Sequence, residues 1–169
     1  MRYTIRIARL DDIPRLPPIE HAAGMLFEQA GISGNITVMS TDALRAALDE
    51  DGLLVAADES DQPVGFAVYA IHDDTAHLAE MDVHPDHGRR GLGGRLLQTV
   101  IHHARQHGCA QVTLTTYRDV PWNGPFYARH GFQEIPDTAW TPALAERADA
   151  EGVRAGGRRI VMTLRLHRR

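Results

Sequence analysis

The sequence predicts an α/β fold of the α+β kind: a mixed, mostly antiparallel central sheet with helices on both faces. Three observations carry this. Residues 53–83 hold three apolar runs, "LLVAADE", "VGFAVYAIH" and "TAHLAEMDV", separated by the turn-rich "SDQP" and "DDT", which is the spacing of an antiparallel meander. After the third run comes a series with helical spacing, Leu92, Leu96, Leu97, Val100, Ile101 and Ala104, which stops at Gly108. A further apolar run, "AQVTLTT", follows it, so residues from about 75 to 116 make a strand-helix-strand unit with an expected right-handed crossover.

The remaining elements follow in order. "YTIRIARL" alternates like a strand, and Asp11 or Asp12 is placed to cap a helix over "DDIPRLPPIEHAAGMLFEQAG", which Pro17 and Pro18 bend or restart. Ser40 or Thr41 caps a second helix, "DALRAALDE", ending at Asp51-Gly52. Downstream, "WNGPFYARHG" reads as a short helix and "FQEI" as a brief strand. A helix capped at Thr141-Pro142 then precedes a closing strand, "RRIVMTLRL". There is no internal repeat.

The 169 residues suit a single domain spanning 1–169, long enough to bury a real core. Hydrophobic content of 43% and charged content of 24% are ordinary for a globular chain. No apolar run is long enough to span a bilayer as a helix. A net charge of -4 disfavours a nucleic-acid partner held by bulk electrostatics, although arginines gather locally. The lone Cys109 cannot form an internal disulfide, and "MRYTIRIARL" lacks the apolar core of a signal peptide, so a reducing cytoplasm is the expected location.

The stretch "HPDHGRRGLGGRLL", residues 84–97, carries the clearest chemistry. A strand running into a glycine-rich bend and then a helix offers unpaired N–H groups at the positive end of the helix dipole. Gly88, Gly91, Gly93 and Gly94 permit close approach of backbone to ligand, and Arg89 and Arg90 add cationic contacts. The physics indicates a phosphorylated ligand. Neither the dinucleotide pattern GxGxxG nor the P-loop fits, since the third glycine is missing and there is no lysine in the region.

With its surroundings, "MDVHPDHGRRGLGGRLL" resembles motif A of the GNAT superfamily, the acetyl-coenzyme A dependent N-acetyltransferases, and "FYARHGF" at 126–132 resembles its motif B. The resemblance covers most of residues 52–135. It implies a sheet splayed at its middle, acetyl-CoA as co-substrate, and direct transfer of the acetyl group to a primary amine. It also implies that the loop from Gly88 through Arg89, Arg90, Gly91, Leu92, Gly93 and Gly94 holds the coenzyme pyrophosphate, and that the backbone of Met81, Asp82 and Val83 pairs with pantetheine and polarises the thioester. The sequence departs from the family in two places. Gly88 stands where a Gln or Arg is usual, leaving Arg89 or Arg90 to compensate, and Val120 replaces a frequent Asn, leaving Asn123 to cap the next helix or reach the coenzyme.

The resemblance further implies that Tyr127, in the position of the family's general acid, protonates the departing thiolate. Glu80 and His77 are the alternatives for the base, on opposite faces of a regular strand. Glu20, Phe27 and Glu28 on the first helix, with Trp122, are candidates for an acidic, aromatic site for a cationic amine. A small-molecule amine is the leading acceptor. A protein N-terminus or lysine, and an acyl-CoA-binding module without turnover, are the alternatives. The family often dimerises, which adds a second copy of the chain as a candidate partner.

No metal is expected: His103 and His107 share an i, i+4 spacing without a clear third ligand, and the histidines of this helix are placed on its solvent face. Cys109 is expected in the core, and the basic end "RLHRR" as a solvated tail or a minor contact with the coenzyme's adenosine phosphate.

Overall fold

The computed structural model describes residues 2–32, 37–154 and 156–166. Its elements are β1 (Thr4–Ile7), a 3-10 turn (Leu10–Arg15), α1 (Leu16–Gln29), α2 (Thr41–Asp49), β2 (Leu53–Ala57), β3 (Pro63–His72) and β4 (Thr75–Val83). There follow α3 (Leu92–Gln106), β5 (Gln111–Tyr117), α4 (Gly124–Arg129), β6 (Gln133–Glu134), α5 (Pro142–Ala150) and β7 (Arg159–Arg165). The strands form a seven-stranded open sheet in the order β1-β2-β3-β4-β5-β7-β6. The β4–β5 pair is parallel, and the pairs β1–β2, β2–β3, β5–β7 and β6–β7 are antiparallel. This is the mixed, mostly antiparallel sheet expected from the hydrophobic patterning. The three predicted runs are β2, β3 and β4.

The chain divides into two compact units, Met1–Ala70 with Ala79–His103, and Ile71–Leu78 with Ala104–Arg169. In the first, α1 does not begin on an Asp11 or Asp12 cap. The N-cap position of α1 is Arg15, without a side-chain cap; Arg9 holds the cap position of the preceding 3-10 turn, where Asp12 reaches back to accept the Arg9 N–H at 2.7 Å and binds Arg6 at 2.6 Å. Pro14 lies in the 3-10 turn, and Pro17 and Pro18 fall in the first turn of α1, where a missing N–H costs nothing. Ile13, Leu16 and Ile19 from this corner pack with Leu44 of α2, Leu53 and Val55 of β2, and Phe66 and Val68 of β3. Leu54 and its partner Ala67 turn to the opposite face, where Tyr69 donates to or accepts from His103 of α3 at 2.7 Å. Helices therefore cover both faces of β2 and β3. The bond to Tyr69 also moves His103 off the solvent face expected for it, while His102 and His107 are exposed.

In the second unit the β4–β5 ladder runs from Thr75↔Gln111 to Leu78↔Leu114 and stops there. β7 inserts between β5 and β6. Thr141 caps α5 as expected, accepting the Leu144 N–H, and Ala148 and Val153 pack against Val161 of β7 with Ile135, Trp140 and Leu144. Cys109 is buried, and that burial, with the charge of Asp74, pushes its thiol up. No helix among the described residues is long and apolar enough to cross a membrane.

At nine residues α2 is too short to persist alone, so packing and capping must hold it. Leu44 is fully buried, and Ser40 accepts the Ala43 N–H at 3.1 Å. Leu44→Ala should cost about 2–5 kcal/mol and Ser40→Ala about 1 kcal/mol in urea unfolding. A larger loss for Ser40→Ala than for Leu44→Ala would show that the cap rather than the core holds this helix.

Candidate functional site

After Val83 the chain makes a 3-10 turn at Pro85–His87, closed by the Gly88 N–H on the Pro85 carbonyl at 2.9 Å. A Cβ at Gly88 would sit 3.0 Å from that carbonyl, tighter than ordinary contact, so a side chain there would require the turn to shift by a few tenths of an ångström. Arg89 (φ 55°) and Gly91 (φ 76°) are both left-handed, the kind of reversal from which N–H nests are built. The first bond of α3 runs from the Arg95 N–H to the Gly91 carbonyl at 3.0 Å. The N–H groups of Leu92, Gly93 and Gly94 precede it and lie at the positive end of a 15-residue helix.

Between Gly88 and Gly94 the side chains are four glycines, one buried leucine and two exposed arginines, with no acceptor among them. Such a donor set fits a diphosphate, with its negative charge met by amides and exposed guanidinium groups.

Two residues apart on β4, Glu80 and Asp82 share a face, and Glu20 of α1 joins them. A carboxylate oxygen from each lies within 4.8 Å of the others. Glu20 is 6% exposed, and its Oε2 accepts the Met39 N–H at 2.9 Å. Glu80 Oε1 accepts the Met81 N–H at 3.2 Å. Burial and the neighbouring charges of Glu80 and Glu20 raise the Asp82 carboxyl well above the usual range. Burial also raises Glu20, against the opposing Met39 N–H.

The cluster thus retains a proton where surface carboxylates have lost theirs. It can accept a proton or bind a cation, ammonium or divalent metal. Glu80 and Glu20 were legible as candidates in the sequence. The side chain of Asp82 was not, because its nearness to Glu20 arises only in the fold. Glu28 is exposed at the end of α1 and Phe27 is half-buried, so of the two α1 carboxylates only Glu20 joins Glu80 and Asp82.

In the second unit His77 is 2% exposed and engaged at both ring nitrogens, Nδ1 with Thr113 Oγ1 and Nε2 with Glu151 Oε1, each at 2.9 Å. The other Glu151 oxygen accepts from Thr115 at 2.7 Å, and Arg159 donates to the same threonine hydroxyl. Burial tends to raise the Glu151 carboxyl, but His77, Thr115 and Arg159 together hold it below its usual value. His77 therefore links β4 to the segment after α5. Glu151, seventy-four residues away in sequence, was not foreseen.

Tyr127 is 9% exposed, with its ring edge-on to Phe126 and Phe132 at 5.1 and 5.7 Å between centroids. Asn123 occupies the N-cap position of α4 but makes no side-chain cap. Its Oδ1 instead accepts from the Thr116 hydroxyl at 2.8 Å and the Tyr117 N–H at 3.4 Å, which ties the start of the helix to β5. Trp122 stands 42% exposed just before it. The last residues of "RLHRR", 167–169, lie outside the described residues.

A carboxyl whose pKa is raised on folding contributes stability at acid pH that is lost as pH rises through the raised value. Asp82→Asn removes that loss. The melting temperature of the variant should overtake that of the wild type between pH 4 and pH 8, by about 2–4 °C for each kcal/mol relieved. A pH-independent difference would mean that the three carboxyls do not repel one another.

Sequence comparisons extend these observations. The chain is 34% identical over 123 residues to mycothiol acetyltransferase of Saccharopolyspora erythraea, covering 69% of this chain and 39% of that protein. It is 31% identical over 124 residues to amino-acid acetyltransferase of Mannheimia succiniciproducens, covering 70% and 25%. It spans less than half the length of these relatives. Among solved structures, the PaiA N-acetyltransferase of Thermoplasma acidophilum in complex with coenzyme A superposes with a TM-score of 0.76 at 17% identity, over 98% of this chain and 100% of that one. The N-acetylglutamate synthase of Neisseria gonorrhoeae, complexed with coenzyme A and N-acetyl-glutamate, gives 0.76 at 22% identity, over 99% and 36%. Residues 23–132 match the acetyltransferase (GNAT) family model, and with the motif A loop and the sheet order in place the chain belongs to the GNAT acetyltransferase family.

Proposed function

We propose that the chain transfers the acetyl group of acetyl-CoA to a primary amine of a small, cationic molecule by direct attack. The observation that carries this reading is the loop from Gly88 to Gly94 at the start of α3, left-handed at Arg89 and Gly91 and without an acceptor side chain, whose amides suit the coenzyme pyrophosphate. Family membership supports the thioester chemistry. The acceptor class follows from the carboxylates of Glu20, Glu80 and Asp82, which favour an ammonium group, and two relatives are named for small-molecule acceptors.

Direct transfer forms a nitrogen–carbon bond and breaks the carbon–sulfur bond of the thioester. In this reading the incoming ammonium gives its proton to the carboxylate cluster, with Glu80 as the acceptor, and the free amine attacks. The backbone of Met81, Asp82 and Val83 pairs with pantetheine and polarises the carbonyl. Tyr127 gives a proton to the departing thiolate and regains one from the proton that the attacking nitrogen sheds as the amide forms, leaving the amide, free coenzyme A and a protonated Glu80 that loses its proton to solvent. His77, with both nitrogens engaged, is assigned a structural role. Phe27 and Trp122 supply apolar surface for the acceptor, and a reducing cytoplasm suits the thiol product.

A thiol-release assay across small amines, lysine peptides and peptides with free N-termini tests the acceptor class, with small diamines and amino-acid amides expected to lead. Peptides leading the panel would move the assignment to protein acetylation, and coenzyme binding without any thiol release would make the chain a binding module. Tyr127→Phe should lower kcat about 10²-fold or more with little change in coenzyme affinity. An unchanged kcat removes Tyr127 from the reaction. Activity should rise with pH through the raised titration of the cluster, and Asp82→Asn, by removing a repelling charge from Glu80, should move that limb to lower pH. Chelation with EDTA should leave turnover unchanged, and restoration of a lost rate by a divalent ion would reassign the three carboxylates as a metal site.

A further inference from the structure

We infer that Tyr3 is a positioning residue for the coenzyme loop, an inference that rests on the reading of Gly88–Gly94 as the pyrophosphate site. Tyr3 lies more than eighty residues before the loop and directly precedes β1. Its hydroxyl hydrogen-bonds His87 Nδ1 at 3.0 Å, with the two rings edge-to-face at 5.8 Å and 88°. Its carbonyl accepts from Arg95 Nη2 at 3.0 Å.

His87 is the residue immediately before Gly88, and Arg95 the one immediately after Gly94. One half-buried residue therefore touches the chain on both sides of the loop. β1 is itself registered against β2 from Thr4↔Ala57 to Ile7↔Leu54, so Tyr3 is attached to a formed strand.

The bracketed segment needs such support. It contains four glycines among seven residues, and each loop residue ordered on binding loses backbone freedom, glycine most of all. Holding both ends against the sheet lowers the entropy the loop loses when its amides converge on a diphosphate. On the His87 side the turn is stiffened again: His84 lies edge-on to His87 at 6.2 Å and accepts the Asp86 N–H at 3.3 Å. Tyr3 acts through His87 and Arg95, not on the ligand.

The test compares the wild type with Tyr3→Phe and Arg95→Gln, using coenzyme A and pantetheine, which lacks the pyrophosphate, as binding probes, and acetyl-CoA and acetyl-pantetheine as substrates. Each variant should raise the Kd of coenzyme A about five- to tenfold, leave that of pantetheine unchanged, and keep kcat at saturating acetyl-CoA. Wild-type affinity for coenzyme A in both variants overturns the role of Tyr3, as does an equal loss for pantetheine, which would indicate a general structural effect. A wild type that binds coenzyme A no better than pantetheine overturns the pyrophosphate reading itself. The two failures are therefore separate.

Discussion

The parallel pairing of β4 with β5 is the constraint on which the site's chemistry depends. Antiparallel neighbours can be joined by a tight turn, as β3 and β4 are at Asp73-Asp74, but parallel neighbours require a crossover that returns to the starting end. Here the crossover is α3, and it must begin where β4 ends. The positive pole of a 15-residue helix is thereby delivered to the carboxyl end of the strand, a few residues beyond Glu80 and Asp82. The glycine-rich bend follows from the same geometry, since the chain must reverse within the short connection from Val83 to Leu92.

That placement puts two opposite electrostatic environments close together in the chain. The loop offers amides and guanidinium groups with no acceptor among them, which favours anions. The end of β4 with α1 offers three carboxyls, of which Asp82 resists ionising because it is buried and because Glu80 and Glu20 stand beside it. The repulsion lowers folding stability at neutral pH, and a cation arriving there relieves it. This is the general sense in which a site stores strain that ligand binding releases. It also explains why Glu20, on a helix otherwise buried for packing, retains a carboxyl in the interior: the Met39 N–H compensates part of its desolvation.

The second unit uses the same residue types to tie elements together. His77, Glu151, Thr113, Thr115 and Arg159 make a connected polar set on the sheet, each bond at ordinary length. Breaking one member would leave a buried partner unsatisfied, so the set holds the region after α5 in one position. His77 cross-links β4 to Glu151 and Thr113, and Asn123 at a helix start is a tie to the preceding strand and not a side-chain cap.

Local patterns in the sequence determined much of this protein: the runs that became β2 to β5, the stripe of α3, the cap at Thr141 and the choice between Ser40 and Thr41, and the glycine-rich, cationic character of the bend. Each depends on neighbours within a few positions, such as hydrophobic period, cap chemistry or glycine freedom, and a linear reading has access to all of them. The tertiary structure alone decided which long-range pairs form. Asp82 meeting Glu20, Glu151 meeting His77, Tyr3 bracketing the loop and Asp12 reaching back to Arg9 while binding Arg6 depend on how strands register and helices pack. Gly88 joins both accounts. The sequence marked it as unusual for its motif, and only the turn brought the Pro85 carbonyl to the place where a side chain would stand.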